Sequence, residues 1–241
     1  MPGSGFMTAP PRHVGIVACS AEGAALCYRT VCAEAPQLLG PYAHPELSLH
    51  GHSFALYDER IVRGDWAGVA ELMLDSARKL AAAGAQFLIC PDNTIHQAFP
   101  YLEARSPLPW LHIAEVVAAE AAARRFRKLG LTGTRWLVSS EVYPEKLAKR
   151  GLAWVRPDEA DRLECSRIIM EELVNGRFRP EAVATFQAVI GRLKDAGCDA
   201  VVLGCTEIPL IISDANSPLP TLDSTRLLAR AAIRRAVEND G

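Results

Sequence analysis

The feature that most restricts how this chain can fold is an internal copy. Residues 79–94 and 192–207 align without a gap, so that Gly84 matches Gly197 and Asp92 matches Cys205 at one shift of 113 residues. Each copy reads as the tail of a helix, a glycine stop, a short apolar strand and then polar residues at the strand's C-terminal end. Two further pairs keep the same order. Ser106-Pro107-Leu108-Pro109 matches Ser217-Pro218-Leu219-Pro220, and residues 14–20 match residues 129–135. Repeats of this length mean two similar domains and not a solenoid, whose units run roughly 20–50 residues. A fold duplicated in this way brings one strand end from each half to a shared cleft. Strand C-terminal ends are where open α/β sheets bind ligands.

Within each half, short apolar runs alternate with helical stretches, which indicates an α/β protein with parallel sheets and helices on both faces. Strands are expected at residues 14–18, 47–56, 87–90 and 109–113, then at 129–132, 152–155, 200–203 and 220–222. Helices are expected at 21–33, 65–83, 97–104 and 114–128, then at 141–150, 159–174, 180–196 and 224–238. Gly84 stands where left-handed helix caps sit. The boundary falls near residues 113–116. The last helix mirrors the one at 114–128 and is expected to cross back. That gives a first domain of residues 12–114 plus 214–241 and a second of 115–213, with a cleft between them.

Composition excludes more than it identifies. At 49% apolar and 22% charged residues the chain reads as an ordinary globular protein. A net charge of −2 gives no electrostatic footprint for nucleic acid. The basic run Arg124, Arg125, Arg127 and Lys128 closes a helix, where cations suit the dipole. No apolar run reaches the ~18 residues of a membrane span. Residues 1–11 lack the pattern of a signal peptide and read as a flexible tail. The seven cysteines contain no Cys-x-x-Cys pair. Cys90 and Cys198 belong to strands, and Cys27 and Cys32 to a helix. This is the usage of a cytoplasmic chain with reduced thiols. Cysteines and histidines show no metal-ligand spacing, so no metal is expected.

The chemistry concentrates at the strand ends. Asp92 follows an apolar strand, and burial there raises a carboxyl pKa toward the range useful to a general acid/base. Capping of the next helix is its competing role. Cys205 opens a polar turn, whose amides are expected to lower the thiol pKa and favour thiolate. Glu207 is placed to touch substrate or to hold a backbone amide. Ser20, Gly133 and Thr134 end the first strand of each half, where hydroxyls and free amides suit a carboxylate. Asn93, Thr94 and Thr206 flank the two central residues. His96 is either a ligand contact or a satisfied structural histidine, and Ser53 is a further candidate.

With these residues in view, the chain resembles the cofactor-independent aspartate/glutamate racemase superfamily over residues 13–240. The motifs that carry the resemblance are Asp92-Asn93-Thr94-Ile95-His96, where the family has Cys-Asn-Thr-x-His, and Gly204-Cys205-Thr206-Glu207. Gly133-Thr134-Arg135 and the Glu171-Glu172-Leu173 helix add to it. The resemblance implies two Rossmann-like domains related by a pseudo-twofold axis, an interdomain site, and a homodimer. It implies no pyridoxal phosphate, no other cofactor and no metal. It also implies that Asn93, Thr94, Thr134 and Thr206 hold the α-carboxylate and amino group of a small carboxylate substrate.

Asp92 replaces the first catalytic cysteine. Unperturbed, the two groups differ by about 4.6 pKa units, on the order of 6 kcal/mol, a gap that burial is expected to narrow. Glu164 falls where members acting on acidic substrates carry a lysine, with Arg162 and Arg167 nearby as substitutes. Three readings follow. One is a racemase or epimerase with Asp92 and Cys205 on opposite faces of the substrate. Another is a one-directional reaction on the same scaffold: cis–trans isomerisation of an unsaturated diacid, malonate decarboxylation or hydrolytic deamination. The last is a small-acid binder without turnover.

Overall fold

The computed structural model describes residues 10–238. Most of the expected tail, residues 1–9, lies outside them. The first half runs β1 (Val14–Ala18), α1 (Ala21–Glu34), the short α2 (Pro36–Leu39), β2 (Leu47–Gly51), α3 (Phe54–Arg63), α4 (Trp66–Ala82), β3 (Phe87–Ile89), the short α5 (Phe99–Leu102), β4 (Trp110–Leu111) and α6 (Ile113–Ala123). The second runs β5 (Lys128–Thr132), α7 (Arg135–Val138), α8 (Val142–Ala148), β6 (Ala153–Val155), α9 (Glu159–Arg167), α10 (Pro180–Asp195), β7 (Ala200–Leu203), β8 (Thr221–Asp223) and α11 (Ser224–Val237).

The strands form two four-stranded sheets with the same order, β2-β1-β3-β4 and β6-β5-β7-β8. Every pairing is parallel. Sequence and sheet agree for a physical reason. Parallel strands are covered on both faces and therefore read as continuous apolar runs, and all residues of β1 and β7 are buried. Gly84 and Gly197 take φ of +97° and +85° at equivalent places after α4 and α10, the left-handed stops that the copied sequence requires.

The long helix after each sheet changes sides. Ala114, Val117, Ala118 and Ala121 of α6 share a core with Leu129 and Leu131 of β5 and Val202 of β7. Leu228, Ala232 and Ile233 of α11 share one with Val14 and Ile16 of β1 and Phe87 of β3. Of the segment 214–241, expected with the first half, the described part is divided: β8 pairs with β7 in the second sheet, while α11 packs on α1.

Three expectations need correction. The strand at 47–56 stops at Gly51, and α3 follows it. Phe54, Tyr57 and Ile61 are spaced as one helix face, and Gly64 closes the helix in a left-handed conformation. The helix at 159–174 is α-helical only to Arg167, continuing as a π turn over Ile168–Glu172 and a 3-10 turn over Leu173–Asn175. In the second half, α7 precedes the helix expected at 141–150. Among the described residues, no helix is long and apolar enough to cross a membrane.

Candidate active site

The C-terminal ends of β1, β3, β5 and β7 converge on a narrow cavity of about 40 Å³. Asp92, Cys205, Ser20, Asn93, Thr94, Thr134, Thr206 and Glu207 all line it. The strand ends meet crosswise. The Thr94 hydroxyl, after β3, lies 2.9 Å from that of Thr134, after β5. The Ser20 hydroxyl, after β1, lies 3.5 Å from that of Thr206, after β7. Ser20 and Thr134 also cap the helices that follow them, accepting from the amides of Gly23 and Leu137.

Asn93 is tied up at both ends of its amide. Its oxygen accepts from the Tyr143 hydroxyl at 2.7 Å, and its nitrogen donates to Ser224 Oγ at 2.9 Å. Ser224 in turn donates to the carbonyl of Leu203. This chain links the residue beside Asp92 to the strand end that carries Cys205, so it fixes the spacing of the two loops. A buried network satisfied at every member is rigid for that reason.

Asp92 accepts from the amide of Ile95 through Oδ1 at 3.1 Å and is hydrogen-bonded by the Cys19 thiol. Burial raises its carboxyl to about 6, helped by the charge of Glu207, while the Ile95 amide and Cys19 hold it back. Cys205 overturns its expectation. Its thiol donates to Glu207 Oε2 at 2.8 Å. Burial first, and then the Glu207 carboxylate, push the thiol well above its ordinary range. The turn amides that favour thiolate are outweighed by burial and by a carboxylate two residues on. The same Glu207 oxygen accepts from the Thr206 hydroxyl at 2.8 Å.

Four candidates lie off the cavity lining. His96 is buried behind Asp92. The Ile113 amide donates to its Nε2 at 3.3 Å, which makes Nδ1 the donor to the Asp92 carbonyl at 2.6 Å. Burial and the neighbouring His112 keep the ring neutral, and it stacks on Phe99. Gly133 serves backbone approach: a Cβ there would stand 3.0 Å from the Gly204 carbonyl. Ser53 is exposed at the start of α3. Glu164 sits on the outer surface of α9 in an ion pair with Arg167, which also holds Glu172.

Sequence reasoning missed the walls. Phe54, Asp58 and Ile61 of α3 line the cavity, together with Trp136, Ile169, Met170 and Val174 of the second half. The signal for α3 was its three-and-four spacing, masked by apparent alternation over 47–56. Ile169 and Met170 lie in the π turn, a distortion frequent at functional sites. Cys19, directly after β1, was legible only as the residue before Ser20.

This arrangement can bind a small zwitterion among hydroxyls and present it to one acid and one base. Comparison with known proteins points the same way. Residues 16–232 match the family model described as Asp/Glu/Hydantoin racemase. The broad specificity amino-acid racemase RacX of Bacillus subtilis (strain 168) is 22% identical over 79% of this chain and 81% of its own length. A glutamate racemase of Thermus thermophilus is 33% identical over 67% of this chain and 59% of its own. The crystal structure of an aspartate racemase homologue from Pyrococcus horikoshii OT3 superposes with a TM-score of 0.81 at 27% identity, covering 94% of this chain and all of that one. From the crossed strand ends, the cavity they enclose and these likenesses, the chain belongs to the Asp/Glu/hydantoin racemase family.

Proposed function

We propose that the protein inverts the α-carbon of an amino acid, with Asp92 and Cys205 as an unequal acid/base pair. The observation that supports this most directly is the lining of one cavity by both groups, each at the matching strand end of its half. At neutral pH the carboxyl of Asp92, raised only to about 6, is mostly ionised, while the Cys205 thiol holds its proton. Asp92 takes the α-proton from one face. The electron pair left on carbon spreads into the substrate carboxylate, which the hydroxyls of Ser20, Thr94, Thr134 and Thr206 surround. The Cys205 thiol then gives its proton to the other face, leaving Asp92 protonated and Cys205 as thiolate. Proton exchange with solvent restores the resting pair. Glu207 acts through Cys205, as a positioning residue that aims the S–H bond.

The inequality of the pair also favours a second reading, a one-way reaction in which Cys205 only donates. Product formation from malonates or unsaturated diacids would distinguish it. The test of the first reading is proton NMR in heavy water with L- and D-amino acids. Loss of an α-proton signal with inversion, abolished in Cys205→Ala, is the expected outcome. No exchange with any amino acid, or inversion that Cys205→Ala leaves intact, would sink it.

A further inference from the structure

The cavity that would hold the substrate is walled without a cationic side chain. Among the described residues, no lysine, arginine or histidine lines it, whereas three carboxylates do: Asp58, Asp92 and Glu207. Apart from the hydroxyls, Asn93 and the Gly204-Cys205 turn at the strand ends, the wall is apolar, from Phe54, Ile61, Trp136, Ile169, Met170 and Val174. Arg167, one of the two arginines nearest in sequence to Glu164, is committed to Glu164, Glu171 and Glu172. Arg162, the other, lines a separate depression with Arg63 and Arg135, on the far side of Ile61 and Trp136.

Asp58 is the distinctive member of the lining. It stands on α3 between Phe54 and Ile61, four and three residues away, and so shares their face. It is partly buried. Its side chain makes no hydrogen bond or ion pair among the described residues. Asp92 and Glu207 have work in the reaction as read above, but Asp58 has none. A zwitterion brings one ammonium and one carboxylate, whose charges offset each other. A side-chain carboxylate is an uncompensated negative charge brought among three others. Selectivity of this kind comes as much from repelling the wrong ligand as from holding the right one.

We propose that this enzyme acts on amino acids whose side chain carries no carboxylate, and that Asp58 is the specificity-determining residue that turns aspartate and glutamate away. The inference rests on the racemase reading and adds the substrate class. Apolar side chains would lie along Phe54, Ile61 and Met170. Basic ones would add an ion pair with Asp58. Both lack the repelled group.

The test is initial-rate inversion of L-alanine, L-methionine, L-lysine, L-arginine, L-aspartate and L-glutamate by the wild-type protein, followed by chiral chromatography. The best neutral or basic substrate should exceed both acidic ones in kcat/KM by at least roughly 100-fold. Asp58→Asn, which keeps the shape and removes the charge, should narrow that ratio about tenfold through KM for the acidic substrates. A lysine advantage over methionine that Asp58→Asn abolishes would assign the basic class, and its absence the apolar one; either supports the proposal. Aspartate or glutamate as best substrate would overturn it and leave the racemase reading standing. Inversion of none of the six would remove both. A calorimetric titration of Cys205→Ser gives a second readout without turnover. Tighter binding of aspartate than of methionine and lysine would overturn the proposal even if the kinetics were slow.

Discussion

The loops after β3 and β7 are copies with one backbone plan, yet they treat their acid groups differently. Asp92 is held by an amide and a thiol, and Cys205 points its thiol at a carboxylate. Burial acts on both in the same direction, because it disfavours the charged form of either group. It lifts Asp92 from 3.8 to about 6 and Cys205 well above 9.0. Burial therefore raises both members of the pair and does not move Asp92 alone. The lesson is that a symmetric scaffold does not make a symmetric pair. Residue identity sets the inequality, and Glu207 preserves it.

The largest test removes one side. Cys205→Ala should cut inversion by roughly a thousandfold or more. It should leave slow deuterium exchange with retention for the enantiomer whose α-proton faces Asp92, read by NMR. Asp92→Asn should abolish both. Equal losses in the two variants would break the comparison.

The next test restores symmetry. L- and D-amino acids have equal free energies, so kcat/KM for inversion is tied to one value in both directions. The inequality appears instead in exchange without inversion. In wild type only the enantiomer facing Asp92 should exchange with retention. The other should exchange only as it inverts, because a returning proton comes more readily from the carboxylic acid than from the thiol. Asp92→Cys should bring the two patterns together.

A third test is pH. Both directions need the pair with a single proton, which belongs to the pair as a whole. Activity toward both enantiomers should thus fall about tenfold per unit below pH 6 and level off above it. A falling limb through the same range would sink the assignment of Asp92.

The fourth effect is on stability. A carboxyl raised in the folded state favours folding fully below its unfolded pKa and loses that contribution as pH rises through about 6. At pH 7 the ionised Asp92 is therefore a burden. Asp92→Asn should raise unfolding stability there by on the order of 2 kcal/mol, a gain that vanishes near pH 4 in denaturant titrations. The smallest effects belong to Ser53→Ala and Glu164→Ala, both off the cavity, which should leave turnover within about twofold of wild type. A larger change would redraw the site.

These contrasts also explain what the chain disclosed before folding. The two parallel sheets were readable because buried strands such as β1 and β7 are apolar throughout, and because the copy fixed their order. Asp92 and Cys205 were readable because matching positions differed. The helix α3 was not, since Leu47, Leu49, Phe54 and Leu56 mimic alternation when the break after Gly51 is unseen. The direction of the Cys205 shift was hidden as well, because no sequence pattern says that the Glu207 side chain folds back two residues. The role of His96 depended on Ile113, an amide 17 positions away that only the tertiary fold brings to the ring.

The traded helices have a consequence for the ancestry and the physical integrity of the molecule. Each half gives up most of its last helix: α6 buries chiefly against the second sheet and α11 chiefly against the first. A half-length chain would leave part of one sheet face uncovered and its terminal helix without a seat, until a second copy supplied both. Such a unit would exist only as an exchanged pair. Joining two copies end to end would have turned that pair into one polypeptide, in which the strand ends were free to diverge, one toward a carboxylate and the other toward a thiol.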